Sequence, residues 1–464
     1  MVQFGTAGIR GSVSDHVRPA VALSVGESVG RLVAESTDSR DSPPEIVIGR
    51  DGRTTGPALV AALEAGVASA GCRPVRLGQV PTPTLAFASR GRHGLMVTAS
   101  HNPPTDNGIK CFVDGREFDS DREATIQEYV ADDQPPAAWD DWQSATTTDL
   151  LPAYRRAVVE YARGFGADCE ELGVAVDCGN GMAATATPQV LRELGADAIA
   201  FNASVDGHFP ARPSKPTPET LAEFRTLVAD GEFDFGIAHD GDADRIVILD
   251  SDGEVVHEDT VLAILAGYYT RQYVDKHDRN GAAEPVVITT PNASGRIDEQ
   301  VTAAGGRIER VALGKLHEGI ATVDAIPGDQ VVFAAEPWKH IHPEFGTWTD
   351  GITSAAVLAR LIAKEGLAAL RAPITERPYR KVSVDCPDDA KSAAMDRLET
   401  ELPKAFAESE ASFDYGIRLR FPDESWLLVR PSGTEPYIRL YAESDEVANL
   451  VDRTTALIEQ AVNA

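Results

Sequence analysis

Short apolar runs alternate with longer stretches of helical periodicity along most of the chain. The clearest passage begins with a predicted strand at residues 45–49, continues through a helix at about residues 56–70, and ends with a strand at residues 74–77. The same order recurs at residues 173–194 and again at residues 285–304. Because strands that alternate with helices form βαβ units, the pattern predicts mostly parallel sheets.

The three passages share a layout, since a polar turn containing Gly or Asn follows the first strand of each. This likeness indicates three related α/β domains in series. A polar, Pro-containing stretch at residues 132–149 is predicted to be the first linker. Beyond residue 370 the pattern changes to strands at 379–384 and 426–430 and a closing helix at 447–462, which predict a smaller C-terminal α+β domain. The predicted domains are residues 1–150, 151–250, 251–370 and 371–464.

Composition narrows the range of partners. The chain has 464 residues, 43% of them hydrophobic, and a formal net charge of −29. Such an acidic surface argues against nucleic acid or an anionic membrane as a partner and suits a halophile's protein, although an acidic protein from a moderate environment is the alternative. The five cysteines are scattered without metal-site spacing, and no apolar run approaches about 18 residues, so free thiols and a cytoplasmic location are expected.

A serine–histidine pair, Ser100 and His101, lies in a loop punctuated by Pro and Gly after the apolar run 95–97. Such a loop can present a hydroxyl nucleophile at the mouth of a cleft, although a turn-stabilising hydroxyl is the alternative. Lys110, which we place on a Gly-containing turn, stands out because most basic residues in this chain are Arg. A desolvated lysine near phosphate could take part in proton transfer.

Three carboxylates alternate in the Asp loop, residues 240–245, which lies between two apolar runs. Asp240, Asp242 and Asp244, here called the Asp trio, can converge on one hard cation, and Arg245 follows them. A calcium EF-hand is unlikely because Arg245 and Ser251 stand where Gly and Glu are required. The loop therefore predicts a magnesium site, with a solvated acidic turn as the alternative.

Two further segments have the composition of anion-binding loops. A turn near the C-terminus offers hydroxyls and backbone amides between two guanidinium groups, the chemistry of a phosphate cradle. Its residues are Arg430, Ser432, Gly433, Thr434 and Arg439. The Gly-rich loop at residues 4–11 adds Arg10. Together the four loops supply the groups that phosphoryl transfer needs.

These motifs, in this order, resemble the α-D-phosphohexomutase family, which includes phosphoglucomutases, phosphomannomutases and phosphoglucosamine mutases. The likeness runs across nearly the whole chain. It implies a heart-shaped four-domain enzyme that carries Ser100 as phosphoserine and binds one Mg²⁺ through the Asp trio and the serine phosphate. It also implies a hexose phosphate substrate, exchange of the 1- and 6-phosphates through a bound 1,6-bisphosphate, and the hexose 1,6-bisphosphate as activator.

The resemblance also implies roles for the surrounding side chains. Lys110 and His101 would assist proton movement at the sugar hydroxyl. The metal ion and Arg245 would offset charge on the transferring group, and Arg10 would help hold the reacting phosphate. The C-terminal cradle, Arg430 to Arg439, would hold the phosphate that is not reacting.

Sugar recognition is where the chain departs from the family pattern. The family loop Gly-Glu-x-Ser-Gly-His appears as residues 335–340, in which Glu336 and His340 align with the family's Glu and His. The resemblance implies that Glu336 binds the substrate and that His340 takes part in catalysis. Trp338 and Lys339 replace Ser and Gly, and Lys315 stands where Asp is frequent in another loop. The opening loop looks most like those of phosphoglucosamine mutases. We therefore favour glucosamine phosphate as substrate, with glucose or mannose phosphate as alternatives.

Two other functions fit part of the sequence. An Asp-x-Asp motif after a strand also marks magnesium-dependent sugar phosphatases, although those have Thr or Val where this chain has Asp244. A non-catalytic sugar-phosphate sensor would keep the phosphate cradle and lose turnover through Trp338 and Lys339. For the phosphohexomutase interpretation we expect a monomer or a homodimer.

Overall fold

The computed structural model describes residues 4–5, 8–36, 42–132, 135–277, 283–432 and 435–463. It divides into two compact units. Residues 1–261 and 333–371 form the first unit, and residues 262–332 and 372–464 form the second.

The strands and helices follow the chain in this order. The strands are β1 (Ile9–Ser12), β2 (Glu45–Arg50), β3 (Arg73–Gln79), β4 (His93–Val97), β5 (Asp106–Val113), β6 (Arg116–Glu117), β7 (Thr146–Thr147), β8 (Gly173–Asp177), β9 (Asp197–Phe201), β10 (Phe235–His239), β11 (Ile246–Asp250), β12 (Glu284–Thr289), β13 (Arg307–Arg310), β14 (Asp329–Glu336), β15 (Lys339–His342), β16 (Gly346–Thr349), β17 (Tyr379–Asp385), β18 (Glu410–Ser412), β19 (Ile417–Arg420), β20 (Trp426–Pro431) and β21 (Tyr437–Glu443). The helices are α1 (Pro19–Ser36), α2 (Gly56–Ser69), α3 (Thr82–Ala88), α4 (Ser120–Ala131), α5 (Leu151–Ala162), α6 (Thr187–Glu193), α7 (Ala222–Asp230), α8 (Glu258–Lys276), α9 (Gly295–Ala303), α10 (Leu316–Asp324), α11 (Gly351–Glu365), α12 (Leu367–Arg371), α13 (Lys391–Ala405) and α14 (Val447–Asn463), with a 3-10 turn at Met182–Thr185.

The first unit contains two mixed sheets. The N-terminal sheet has the order β1-β5-β4-β2-β3-β7, with β6 paired to β5. Its central strands are parallel, and β2 reads as an apolar run because Ile46, Val47 and Ile48 are buried. The next sheet has the order β11-β10-β8-β9, in which only β10 and β11 are antiparallel. Strands β14, β15 and β16 add an antiparallel meander.

The second unit contains the parallel pair β12 and β13 and a C-terminal antiparallel sheet with the order β17-β21-β20-β19-β18. A buried ion pair links two parts of this unit, since Arg296 donates to Glu443 at 2.9 Å. The indole of Trp426 donates to the other oxygen of the same carboxylate at 2.9 Å. Both oxygens of Glu443 are therefore satisfied, as a buried charge requires.

The predicted fold class, mixed α/β sheets followed by a C-terminal α+β part, is confirmed. Two details differ from the sequence prediction. The stretch predicted to be a linker contains β7, which pairs with the edge strand β3. Lys110 does not lie on a turn, because β5 already begins at Asp106 and pairs with β4. None of the helices in the described part of the chain has the length and apolar composition needed to cross a bilayer.

Helices α1 and α2 pack closely through glycines. A Cβ atom at Gly66 would lie 2.3 Å from the carbonyl oxygen of Leu23, and one at Gly26 would lie 2.4 Å from that of Leu63. These obstacles are backbone atoms, so neither helix can yield by rotating a side chain.

Replacing Gly66 by Ala should therefore destabilise the protein although alanine favours helix. The gain in helix propensity is about 1 kcal/mol, whereas overpacking typically costs about 1–3 kcal/mol and here involves backbone. We expect Gly66→Ala to lower the thermal unfolding midpoint measured by calorimetry. The variant Ala65→Gly, at an exposed neighbouring position, measures the effect of helix propensity alone. A higher unfolding midpoint for Gly66→Ala than for the wild type would contradict the close packing of α1 against α2.

Candidate functional site

The serine loop, residues 98–105, connects β4 to β5 and holds its serine in a constrained conformation. Ser100 is buried and has a φ of 51°, a left-handed value that is uncommon outside glycine. Its backbone N–H donates to Thr98 Oγ1 at 2.9 Å, and its hydroxyl donates to Asp240 Oδ2 at 2.7 Å. His101 Nδ1 lies 3.3 Å from the same hydroxyl. The predicted nucleophile and the predicted metal loop are thus in contact.

A buried arginine that sequence analysis did not select fixes the shape of the serine loop. Arg53 follows β2, and its side chain is fully buried with that of Asp51, to which its Nε donates at 3.1 Å. Its two terminal nitrogens donate at 2.6–2.9 Å to four backbone carbonyls, those of Ser100, Asn102, Pro103 and Asp106. Asp51 also accepts from Thr98 Oγ1 at 2.7 Å. We call this pair the Arg53–Asp51 clamp.

The Asp trio lies in the turn between the antiparallel strands β10 and β11. Asp240 is 1% exposed, and Asp242 and Asp244 are 0% exposed. One possible ligand oxygen from each carboxylate lies within 4.8 Å of the others. Asp242 Oδ2 accepts from Thr82 Oγ1 at 2.7 Å, while the Oδ1 atoms of Asp242 and Asp244 have no hydrogen-bond partner within the described part of the chain.

These carboxylates fit a hard divalent cation. Three buried carboxylates without enough donors to satisfy them are unfavourable, and a cation with oxygen preference would complete them. Burial, together with the neighbouring Asp244 and Asp242 carboxylates, raises the pKa of Asp240 to about 8. Such crowding of like charges is expected where a metal ion completes the site.

Positively charged side chains surround Asp244. Lys110 Nζ lies 2.9 Å and Lys339 Nζ 3.7 Å from Asp244 Oδ2, and Arg245 Nε lies 3.8 Å from Asp244 Oδ1. Burial alone would raise the pKa of Asp244, but these three cations hold it well below its usual range. Lys110 also pairs with Glu117 at 3.3 Å.

The two candidate proton carriers differ in environment. Burial, with Arg245 and Arg10 nearby, lowers the pKa of His101 to about 2, so its imidazole is neutral near pH 7. Burial alone would lower the pKa of Lys110, but its acidic neighbours outweigh burial and raise it. Arg10 lies on β1 opposite Gly108, and its Nε and one terminal nitrogen are buried without a partner among the described residues. Those donors are positioned for an anion near the serine loop.

The predicted sugar-recognition loop is a hairpin between β14 and β15. Glu336 pairs with Lys339 across the two-residue turn, in which Trp338 has a φ of 73°. The ring of Trp338 packs on the hydrophobic cluster of the second sheet, and its carbonyl accepts from the N–H of Ile246 at 3.1 Å. The ring and the backbone carbonyl of Trp338 thus anchor the hairpin to the second sheet.

His340 lies on the buried side of this hairpin. It is 1% exposed, and its Nδ1 lies 3.0 Å from Ser354 Oγ, which also lies 2.9 Å from His342 Nε2. Burial lowers the pKa of His340 to about 3, so the ring is neutral. In this structure its interactions are internal ones, and a role for His340 in catalysis stays a prediction.

Comparison with known proteins gives the family. Three parts of the chain match the phosphoglucomutase/phosphomannomutase family: residues 1–136 match its α/β/α domain I, residues 155–253 its α/β/α domain II, and residues 382–459 its C-terminal domain. A phosphopentomutase of Thermococcus kodakarensis is 38% identical over 448 residues, covering 95% of this chain and 93% of the relative. The chain belongs to the α-D-phosphohexomutase family. It is an enzyme that acts as a phosphomutase.

Other relatives agree with this assignment. A probable phosphoglucosamine mutase of Methanopyrus kandleri is 37% identical and covers 99% of this chain and 98% of its own. The crystal structure of a phosphoglucomutase/phosphomannomutase family protein from Burkholderia thailandensis superposes with a TM-score of 0.84 at 23% identity, covering 99% of this chain and 98% of that one. At that identity the structural likeness supports the fold alone.

In this phosphomutase the predicted phosphate cradle lies at the end of β20 and the start of β21, in the second unit. Arg430 donates to the hydroxyl of Tyr441 at 3.0 Å and keeps a buried Nε without a partner in the described residues. Arg439 donates to Glu435 at 3.1 Å. Ser432 Oγ accepts from the N–H of Glu435 at 3.2 Å. Gly433 and Thr434 lie outside the described residues.

Lysine 391 is a second residue that sequence analysis missed. Lys391 Nζ donates to the carbonyls of Ser432 and Glu435 at 2.7 and 2.6 Å, so it joins the two ends of the cradle turn. Lys391 lies at the start of α13, more than thirty residues before the cradle, and it belongs to no motif that the sequence alone would reveal.

The Arg53–Asp51 clamp should be essential for the geometry of Ser100. Lysine in place of Arg53 keeps the positive charge, but its single ammonium group cannot donate hydrogen bonds to all four carbonyls as the planar guanidinium group does. We expect Arg53→Lys to reduce kcat at least about a hundredfold, since misplacement of a reacting group by about 1 Å has that effect.

The measurement is steady-state mutase kinetics together with circular dichroism. Arg92→Lys is the matched control, because Arg92 also bonds a carbonyl and a carboxylate, Ala88 and Glu45, away from the serine loop. A folded Arg53→Lys enzyme with unchanged kcat would contradict the assignment of the clamp.

Removing one carboxylate of the Asp trio should weaken the binding of a divalent metal ion. Asp242→Asn replaces an orphaned anionic oxygen by a neutral amide atom, so we expect Mn²⁺ affinity in equilibrium dialysis to fall at least about tenfold. Asp252→Asn, in an exposed acidic turn, serves as the control. Equal Mn²⁺ affinity in the two variants would contradict the assignment of the Asp trio as the metal site.

Proposed function

We propose that this phosphomutase exchanges the phosphates of a sugar phosphate through a phosphoserine at Ser100. The observation that carries the proposal is the contact between the Ser100 hydroxyl and Asp240 in a loop held at positive φ by the Arg53–Asp51 clamp. In the first step the bond between phosphorus and Ser100 Oγ breaks and a bond to a sugar hydroxyl oxygen forms. The bound sugar bisphosphate then returns its other phosphoryl group to Ser100.

Proton transfer falls to different groups at different stages. The attacking hydroxyl must lose its proton, and the departing serine oxygen must gain one. His101 Nδ1 lies 3.3 Å from Ser100 Oγ, which supports His101 as the group that exchanges a proton with that oxygen. Lys110 is held between Asp244 and Glu117, which supports a role as a fixed charge rather than as a mobile base.

The phosphoryl group in transit carries negative charge that the site must offset. We propose that the Asp trio and the serine phosphate hold one Mg²⁺, which when bound would stabilise that charge. Arg10 and Arg245 would contribute guanidinium donors to the same group, since Nε of each is buried and has no hydrogen-bond partner in the described residues. Arg430, Ser432 and Arg439, with the undescribed Gly433 and Thr434, would hold the second phosphate.

The sugar is a finer point of the proposal. We favour glucosamine phosphate, supported by the opening loop and by relatives named probable phosphoglucosamine mutases. The mechanism then passes through a hexose 1,6-bisphosphate, which also serves as activator. A pentose phosphate is the second candidate because the Thermococcus relative is named a phosphopentomutase. Because these relatives are named mutases, they do not support the two alternative functions, a magnesium-dependent sugar phosphatase and a non-catalytic sugar-phosphate sensor.

Loss of the serine hydroxyl should remove turnover. We expect Ser100→Ala to lower kcat/KM at least about a thousandfold and to stay unphosphorylated in intact-mass analysis after treatment with sugar bisphosphate. The assay pairs the 1-phosphates of glucosamine, glucose, mannose and ribose with detection of the corresponding 6- or 5-phosphates, at high salt. Ser144→Ala, at an exposed position, is the control. Full activity of Ser100→Ala would overturn the phosphoserine mechanism.

A further inference from the structure

Charges of opposite sign are closely matched around the Asp trio. The carboxylates are the trio itself and Glu117. The cations are Lys110, Lys339 and Arg245, which pair with these carboxylates, and Arg10, which lies close enough to affect His101 and Lys110 electrostatically. Four formal negative charges therefore face four positive ones. The unphosphorylated site has little net charge with which to attract a divalent cation.

Lys339 is the member of this set that the proposed chemistry does not use. Its side chain is 13% exposed, and its Nζ lies 3.7 Å from Asp244 Oδ2, the same oxygen that accepts from Lys110 at 2.9 Å. Because Lys339 contacts a carboxylate of the trio, its ammonium group would repel a divalent cation held by the trio. Like charges in a buried site repel strongly, because little water screens them.

The hairpin holds Lys339 in this place. Trp338, immediately before it, adopts a left-handed φ of 73° that a bulky residue takes only when its surroundings enforce it. The surroundings are the hydrophobic cluster beneath its ring and the hydrogen bond from Ile246 to its carbonyl. Ile246 directly follows the Asp loop, so the backbone at Lys339 is attached to the same turn that carries the trio.

Phosphorylation would change the balance. A phosphate on Ser100 adds about −1.5 to −2 charges beside Asp240, whose Oδ2 lies 2.7 Å from Ser100 Oγ. In the phosphorylated site, one divalent cation would compensate the added negative charge. In the unphosphorylated site, Lys339 already compensates part of the negative charge of the trio. We propose that Lys339 makes metal binding depend on phosphorylation of Ser100, by weakening the affinity of the unphosphorylated site. This inference rests on the phosphoserine mechanism proposed above.

The test compares metal affinity in two phosphorylation states of the full-length protein. Wild type, Lys339→Met, Lys339→Gln and Lys339→Arg are each prepared unphosphorylated and after treatment with glucose 1,6-bisphosphate, and intact mass establishes the state of Ser100. Mn²⁺ dissociation constants are measured by calorimetry. Lys364→Met, which removes an exposed lysine from α11, is the matched control for lost charge.

We expect phosphorylated wild type to bind Mn²⁺ at least about tenfold more tightly than unphosphorylated wild type. Lys339→Met and Lys339→Gln should tighten binding to the unphosphorylated form about tenfold and shrink that ratio, while Lys339→Arg and Lys364→Met should behave as wild type. An unchanged ratio in both neutral variants would overturn the inference.

The two proposals fail in different ways. If Ser100 accepts no phosphate, the phosphoserine mechanism fails, and the dependence on phosphorylation fails with it. If Ser100 is phosphorylated and turnover is normal but Lys339→Met binds Mn²⁺ as wild type does in both states, the mechanism stands and the role of Lys339 is wrong.

Discussion

The buried contact between Arg53 and the serine loop is the interaction on which the rest of the site depends. A left-handed serine and a run of inward-facing carbonyls are unfavourable by themselves, and one guanidinium group satisfies four of those carbonyls while Asp51 balances its charge. With the loop fixed, the Ser100 hydroxyl meets the Asp loop. The N-terminal sheet thus supplies a rigid base for a strained segment that could not hold its own shape.

The Asp loop is likewise an unfavourable local arrangement that charged side chains from other segments stabilise. Its three carboxylates are buried at the turn between β10 and β11, where burial alone would drive protons onto them. Lys110 on β5, Lys339 on the β15 hairpin and Arg245 in the loop keep Asp244 ionised. Cations from separate segments thereby offset the mutual repulsion of the trio's carboxylates.

Strain and packing also explain the departures from the family pattern. Trp338 and Lys339 first suggest damage to a sugar-reading loop, yet the ring is used to anchor the hairpin and the ammonium group is directed at Asp244. The two residues are adjacent at the hairpin, where Trp338 lies in the turn and Lys339 begins β15. A bulky residue at positive φ is therefore part of how this site is built.

The sequence by itself determined the fold class, the alternation of strands and helices along most of the chain, and the loops that carry the candidate chemistry. Those features depend on local periodicity and on motifs of neighbouring residues, such as the alternating carboxylates of the Asp trio. It could not place Lys110, predicted on a turn and found on β5, nor reveal the roles of Arg53, Lys339 and Lys391. Each of these side chains acts on residues distant in sequence, from 41 positions for Lys391 and Ser432 to 134 for Lys110 and Asp244. Only tertiary structure decides such contacts, because they depend on which strands and loops meet when the chain folds.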